Sequence, residues 1–324
     1  MLDPDLPALI LAPMQGLTDA PMRALQGETG AFTFAVSEFL RVSADVPSPK
    51  LLRRHVPELL NGGRTPSGLP VQVQLLGGDA GRLAATAHAA CEAGARAIDL
   101  NFGCPAATVN RHDGGATLLK HPKRIREIVA AVRTAVPSDV PVSAKLRLGW
   151  DCPDAIYENA AMAAEGGANW LTIHGRTRAQ GYAPPALWKP MGIVRERLGL
   201  PVVANGDLWT VEDFCRCRAE TGCLHFMLGR GALADPRLPR RIAAELGLIA
   251  PDAEADPNVA FDWIPPLLRL QELTALIDPG AVRSVLLRWK QWLNIASQHG
   301  NFTAFDLVKR ATTVEEVLAI LSGT

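Results

Sequence analysis

Eight short β-rich runs recur along the chain with helix-forming stretches between them, and this alternation restricts the fold more than any other feature. The runs are PALILAPM (7–14), TFAVSEF (33–39), PVQVQLLG (70–77), AIDLN (97–101), PVSAKLR (141–147), WLTIHGR (170–176), PVVANGD (201–207) and LHFMLGR (224–230). Ala-rich amphipathic segments separate them, such as AGRLAATAHAACEAGA (80–95) and IREIVAAVRTAV (125–136). Strands that alternate with helices form a parallel sheet, because a parallel neighbour needs a crossover long enough to hold a helix. Eight such units predict an α/β fold of the (β/α)8 TIM-barrel type. No GxGxxG follows the first run, which argues against a Rossmann sheet.

After the eighth unit, LGLIAPDAEADPNVAFDWIPP (246–266) is rich in Pro, Asp and Ala and reads as a linker. The remainder has helical periodicity and no strand pattern, most clearly in SVLLRWKQWLNIA (284–296) and TTVEEVLAIL (312–321). The expected division is a barrel over 1–245, a linker over 246–254 and a small C-terminal helical domain over 255–324. With 324 residues and 48% hydrophobic content, the chain can bury a core of that size. A formal net charge of zero excludes a global basic footprint for nucleic acid, so any RNA contact must use local patches. One such patch is the tail: residues 281–310 carry Arg283, Arg288, Lys290, Lys309 and Arg310 against Asp306 alone. Trp289 and Trp292 stand among them. Trp292 is expected in the core of an amphipathic helix, and Arg288 and Lys290 are expected to contact RNA.

Six cysteines are scattered over the chain, and a chain of this size needs no disulfide framework. Cys215, Cys217 and Cys223 with His225 raise the question of a metal, but the spacing is not that of paired CxxC ligands. Reduced thiols and no metal are expected. The N-terminal MLDPDLPALILAPM is acidic, and its apolar run is too short for a signal core or a membrane span. A soluble, cytoplasmic monomer without a membrane partner is expected.

In a TIM barrel the C-terminal ends of the strands surround the active site. Read in order, those ends hold Pro13 and Met14, Glu38, Gln74, Asn101 with Cys104, Lys145 with Arg147, His174 with Arg176, Asn205 with Gly206, and Gly229 with Arg230. A purely structural barrel has no need of a polar side chain at nearly every strand end. The seventh and eighth runs close in ANGD and GRGA, and glycines in these two loops let backbone N–H groups approach a phosphate. Arg230 adds a guanidinium fork. Gln74 and Lys145 lie across the mouth, where an amide and a cation can hold the polar edge of a flat heterocycle and stabilise its reduced, anionic form. Flavin mononucleotide fits this set. A sugar phosphate would leave Gln74 and Lys145 less well explained, and a Schiff-base Lys145 of the aldolase kind is a competing reading.

LAPMQGLTD, DLNFGCP, GGATLL, SAKLRLGW, IHGRTRAQGY, VVANGD and MLGRGAL occur in that order along the chain. Together they resemble the tRNA-dihydrouridine synthase family over the whole barrel. VPELLNGGRTPSGLPVQVQLLG and KQWL resemble one bacterial subgroup, which modifies the D-loop uridine at tRNA position 16. The resemblance implies a TIM barrel with bound FMN, NADPH as reductant and tRNA as substrate. Pro13, Met14 and Gln15 would contact the flavin from the first loop, Gln74 and Lys145 its ring, and His174 the flavin and substrate region. Gln15 stands where some subgroup members carry Glu, a mild departure at a backbone-contact position. Asn205, Gly206, Asp207, Gly229 and Arg230 would hold the ribityl phosphate.

Cys104 matches the family's catalytic cysteine. Reducing the C5–C6 bond of uracil needs a hydride at C6, which reduced flavin can deliver, and a proton at C5. A thiol with an ordinary pKa near ~8.5 is mostly protonated at neutral pH and can give that proton. Pro105 stiffens its turn. Asn101 would hold the uracil edge or the flavin, Glu38 the substrate, and Arg147 or Arg176 an RNA phosphate, while Asp99 makes structural contacts. The competing functions are an FMN barrel acting on a free small pyrimidine, like the dihydroorotate dehydrogenases, and a flavin-free RNA-binding scaffold.

Overall fold

A computed structural model describes residues 1–42, 45–106, 114–251 and 259–323. The expected eight strands are present as β1 (Ala8–Leu11), β2 (Phe34–Val36), β4 (Val71–Leu76), β5 (Ile98–Asn101), β6 (Val142–Arg147), β7 (Trp170–His174), β8 (Val202–Asn205) and β9 (His225–Leu228). All neighbouring pairs are parallel, and β1 pairs with both β2 and β9 while β2 pairs with β4. The sheet therefore closes on itself as a TIM barrel.

A ninth strand, β3 (Leu40–Arg41), was not anticipated; it lies beside the end of β4. Its cause is local. The Ser37 hydroxyl takes the Gln74 backbone N–H at 3.0 Å, so a side chain interrupts the ladder where β2 ends, and the chain rejoins it three residues later.

The barrel interior is filled by Ala8, Ile10, Phe34, Val36, Trp170 and Val203, with Phe34 and Trp170 edge to face at 6.1 Å. A much larger apolar layer lies between the strands and the surrounding helices. Helix starts follow their sequence signals. Asp79 caps helix Ala80–Glu92 by accepting the Arg82 N–H at 2.8 Å, and Thr210 with Asp213 forms a reciprocal capping box on helix Val211–Thr221.

Beyond the barrel, helices Ile264–Ile277, Val285–His299, Phe305–Val308 and Val314–Ser322 pack around Trp289 and Trp292, both buried as an amphipathic core stripe. Their apolar cluster takes in Met22, Ala24 and Leu25 of helix Ala20–Glu28, and Leu233 and Ala234 after β9. The Trp292 indole N–H donates to the Leu233 carbonyl at 2.9 Å. The helical region and the barrel thus share a core. Part of the expected linker, 252–254, and the expected start of the helical part lie outside the described residues. Among the described residues, no helix is long and apolar enough to cross a membrane.

Candidate active site

A cavity of about 760 Å³ opens at the C-terminal ends of the strands. It exists because each barrel strand ends there while its loop turns outward, leaving strand-end side chains around a common centre. Register fixes their depth. Gln74 pairs with Asp99, Asn101 with Lys145, Arg147 with His174, and His174 with Asn205. Gln74 therefore lies in a layer two residues deeper than Asn101 and Lys145.

Cys104 lines the cavity just past β5. The Asn101 carboxamide oxygen accepts the N–H groups of Gly103 and Cys104, each at 2.9 Å, and this local bond curls the chain so that the thiol faces the mouth. Burial raises the thiol pKa, and the Ala106 backbone N–H and the Arg147 charge only partly oppose that. The thiol is therefore protonated at neutral pH.

Among the described residues, five basic side chains border the cavity: Lys145, Arg147, His174, Arg176 and Arg230. Arg147 donates from Nε to the Gly103 carbonyl at 2.8 Å and from Nη1 to the Gly181 carbonyl at 2.8 Å. It ties the cysteine loop to the loop after β7. Arg176 is fully buried, with Nη2 on the Asp207 carboxylate at 2.6 Å and Nε on the Ala183 carbonyl at 2.6 Å. Burial alone would raise the Asp207 carboxyl, but the bonds from Arg176 and the Ala186 N–H outweigh it and hold the carboxyl below its usual range.

Lys145 donates to the Asn205 oxygen at 3.2 Å; burial and the neighbouring Arg147 pull its pKa down to about 8, against the attraction of Asp99. Burial, aided by Arg147, Lys145, Arg176 and Arg230, drives His174 well below its ordinary range, so the imidazole is neutral. Its Nδ1 is buried without a hydrogen-bond partner, as is Arg176 Nη1.

The β8 and β9 loops make the opposite wall. Gly206 has φ +118°, and a Cβ there would come within 3.2 Å of both His174 and Ala186, so only glycine fits. Asp207 takes φ +53°. Arg230 lies over the Tyr182 ring at 4.9 Å and the Trp209 ring at 5.1 Å, with no carboxylate partner among the described residues. Tyr182 and Trp209 were not singled out in the sequence. Their signal was available, since Tyr182 closes the RTRAQGY stretch and Trp209 follows ANGD by one residue.

A sequence model described as dihydrouridine synthase matches residues 10–260. This chain belongs to the dihydrouridine synthase family. It is 42% identical over 319 residues to the tRNA-dihydrouridine(16) synthase of Neisseria meningitidis serogroup B, covering 97% of this chain and 93% of that one. It is 40% identical over 323 residues to the protein of the same name from Pseudomonas syringae pv. tomato, covering 97% and 98%. Among solved structures, the old yellow enzyme homologue of Zymomonas mobilis superposes with a TM-score of 0.52 over 76% of this chain and 91% of that one, at 15% identity. Histamine dehydrogenase of Rhizobium sp. 4-9 gives 0.56 over 74% and 46%, at 16% identity. These two likenesses concern the barrel fold alone.

In this dihydrouridine synthase, Pro13, Met14, Gln15, Asn101, Cys104, Lys145, Arg147, His174, Arg176, Asn205, Gly206, Asp207, Gly229 and Arg230 all border the one cavity. Gln74 lies beneath that wall, fully buried, with its amide joined to Asp99 and Asn101. Glu38 stands at the rim, where its carboxylate accepts the Gly16 N–H and so holds the first loop.

Arg147, Arg176 and Asn101 line that cavity while each is also held by protein partners. Two of the basic tail residues also have protein partners. Arg288 is ion-paired with Asp19, and Lys290 donates to the carbonyls of Lys309 and Ala311. Cys215 is exposed while Cys217 and Cys223 are buried.

Proposed function

We propose that this enzyme reduces one uridine of tRNA to 5,6-dihydrouridine, at position 16 of the D-loop, with FMN as cofactor and NADPH as reductant. The names of the relatives at 42% and 40% identity, matched over nearly all of both chains, support the substrate and the position. The observation that carries the chemistry is a protonated, backbone-anchored Cys104 on the wall of a cavity bordered by Lys145, His174 and Arg230.

The cavity suits a phosphorylated flavin. Buried His174 Nδ1 and Arg176 Nη1 both lack a hydrogen-bond partner. An unmet buried polar atom is costly, so such groups argue for a ligand that meets them. Arg230 and the Gly206 and Gly229 segments would hold the phosphate, and Lys145 and His174 the polar ring edge. When bound, the flavin supplies the hydride to uracil C6.

The chain's own residues supply the rest. Cys104 gives its proton to C5, Asn101 and Arg147 fix the peptide that aims it, and Lys145, mostly charged at pH 7, stabilises negative charge on the ring edge. A buried uridine must be swung out of the tRNA fold to reach them, which costs a few kcal/mol.

The test is anaerobic single-turnover oxidation of the reduced flavoprotein by tRNA, with mapping of dihydrouridine in the product. The expected outcome is stoichiometric dihydrouridine at position 16 and negligible reaction with free uridine. Equal rates with free uridine would transfer the assignment to a small-pyrimidine oxidoreductase.

A further inference from the structure

Beneath the cavity lies a buried polar chain that the proposed chemistry does not use. Asp99 on β5 is 2% exposed, and Gln74 on β4 is fully buried. The Asp99 carboxylate accepts the Ser143 hydroxyl on one oxygen and Gln74 Nε2 on the other, the latter at 2.6 Å. Gln74 Oε1 accepts Asn101 Nδ2 at 2.9 Å. Asn101 Oδ1 then accepts the N–H groups of Gly103 and Cys104.

The donor–acceptor chemistry allows only one arrangement. An ionised carboxylate only accepts, so Gln74 must offer it nitrogen and turn oxygen toward Asn101. A backbone N–H only donates, so Asn101 must offer oxygen to Cys104 and nitrogen to Gln74. Both ends of the chain impose the same orientation on the two amides. The far end is clamped twice, because Arg147 Nε holds the Gly103 carbonyl at 2.8 Å. That carbonyl and the Cys104 N–H belong to one planar peptide, so fixing both ends fixes the plane from which the Cys104 side chain departs.

We infer that Gln74 and Asp99 are positioning residues for Cys104: the buried carboxylate sets the polarity of two amides in series, and the second anchors the peptide that aims the thiol. The inference rests on the reading of Cys104 as proton donor only for its catalytic consequence; the aim of the thiol itself can be measured without turnover.

Reversal is the weakness of such a chain, and it supplies the test. Asp99→Asn keeps size and shape but can present either nitrogen or oxygen to Gln74. Where it presents nitrogen, both amides turn over, and the Asn101 amino group then faces the N–H groups of Gly103 and Cys104, donor against donor. Adding Gln74→Glu restores a single polarity: Asn at 99 donates to the new carboxylate, and the other carboxylate oxygen accepts Asn101 Nδ2 as before.

The readouts are the rate and pH profile of Cys104 alkylation by iodoacetamide, resolved by peptide mass spectrometry, and single-turnover flavin oxidation by saturating tRNA. Asp99→Asn is expected to shift Cys104 alkylation several-fold and to slow turnover by roughly 10–100-fold, the scale of a small misplacement of a reacting group. The double variant should return both to within about threefold of wild type, the residue expected of a restored hydrogen bond. A purely structural role predicts no such recovery, since the double variant carries two changes instead of one.

The inference is overturned if folded Asp99→Asn leaves Cys104 alkylation and turnover unchanged, or if the double variant recovers neither. If Asp99→Asn alone does not fold, the double variant is compared with wild type directly. Wild-type alkylation then supports the chain, and altered alkylation or failure to fold overturns it. Because alkylation needs no chemistry on RNA, a wrong assignment of the proton donor would appear separately, as normal product from Cys104→Ala.

Discussion

Arg230 at the barrel mouth and Arg288 in the helical region are both partly buried arginines, and the fold uses them in opposite ways. Arg230 lies over Tyr182 and Trp209 with no carboxylate in ion-pair contact among the described residues, although the charge of Asp207 acts on it from farther off. Arg288 is ion-paired with Asp19, which also caps helix Ala20–Glu28. The contrast extends to their surroundings. Lys290 closes the turn at Lys309 and Ala311, Lys309 is paired with Asp306, and Arg269 bridges Glu28 and Glu272. On the barrel, Lys120 and Arg178 flank the Trp150 ring at 3.8 and 4.5 Å, with no carboxylate on either among the described residues. A count of basic residues therefore does not say which of them already have protein partners. Arg269 and Arg288 hold the helical region to helix Ala20–Glu28, and cations without such a partner leave a positive field for an anion.

The largest effect should come from the mouth itself. Cys104→Ala is expected to leave flavin binding intact and to slow single-turnover product formation by roughly 10²–10⁴-fold, the worth of a positioned acid. Cys104→Ser should recover little, because an alcohol is a much weaker acid than a thiol. Normal product from Cys104→Ala would make the cysteine a packing residue.

Next comes the direct contrast between the two arginines. Arg230→Ala should weaken flavin binding by about tenfold to a hundredfold, the range for a lost hydrogen bond to a charged group. Arg288→Ala should leave flavin affinity unchanged and lower the unfolding free energy by about 1 kcal/mol, as befits one partly buried ion pair with Asp19. Fluorescence titration and thermal melts of both variants decide it. Equal loss of flavin in the two would erase the distinction.

For tRNA, the pair Lys120→Ala with Arg178→Ala should reduce affinity several-fold and flatten the dependence of log affinity on log salt by about 1.4–1.8, the share of two phosphate contacts. Lys290→Ala should leave that slope unchanged, since its ammonium is held by carbonyls. A larger change of slope for Lys290→Ala than for the barrel pair would return RNA binding to the tail.

The smallest effect concerns pH. His174 is neutral in the fold, with its pKa lowered well below 6.5, whereas in the unfolded chain it protonates near 6.5. The unfolded state therefore binds the extra proton first, and burial of the ring costs nothing above that pH and increasingly more below it. Melting temperature should fall as pH drops from about 6.5, and His174→Gln should flatten that fall. Calorimetry between pH 7 and 5 checks the slope.

The barrel and the borders of its cavity were legible because both follow from local patterns. Alternating apolar runs with helical spacers place eight strands, and a polar residue closing each run marks the open end. The contacts of Gln74 with Asp99 and Asn101 were not legible. Its place at a strand end suggested a cavity contact, yet register pairs it with Asp99, a layer deeper than Asn101. Arg147 and Arg176 looked available to RNA, and each is held by carbonyls or a carboxylate from the loops after β5, β7 and β8.

By itself the amino-acid sequence determined the elements, their parallel order, the glycine at 206 and the thiol after β5, since periodicity and backbone freedom are properties of neighbouring residues. Only the tertiary structure decided which charges remain free. The partners of Arg288 and Arg269 lie 269 and 241 residues away in Asp19 and Glu28, and a charge keeps or loses its field according to what the closed fold sets beside it.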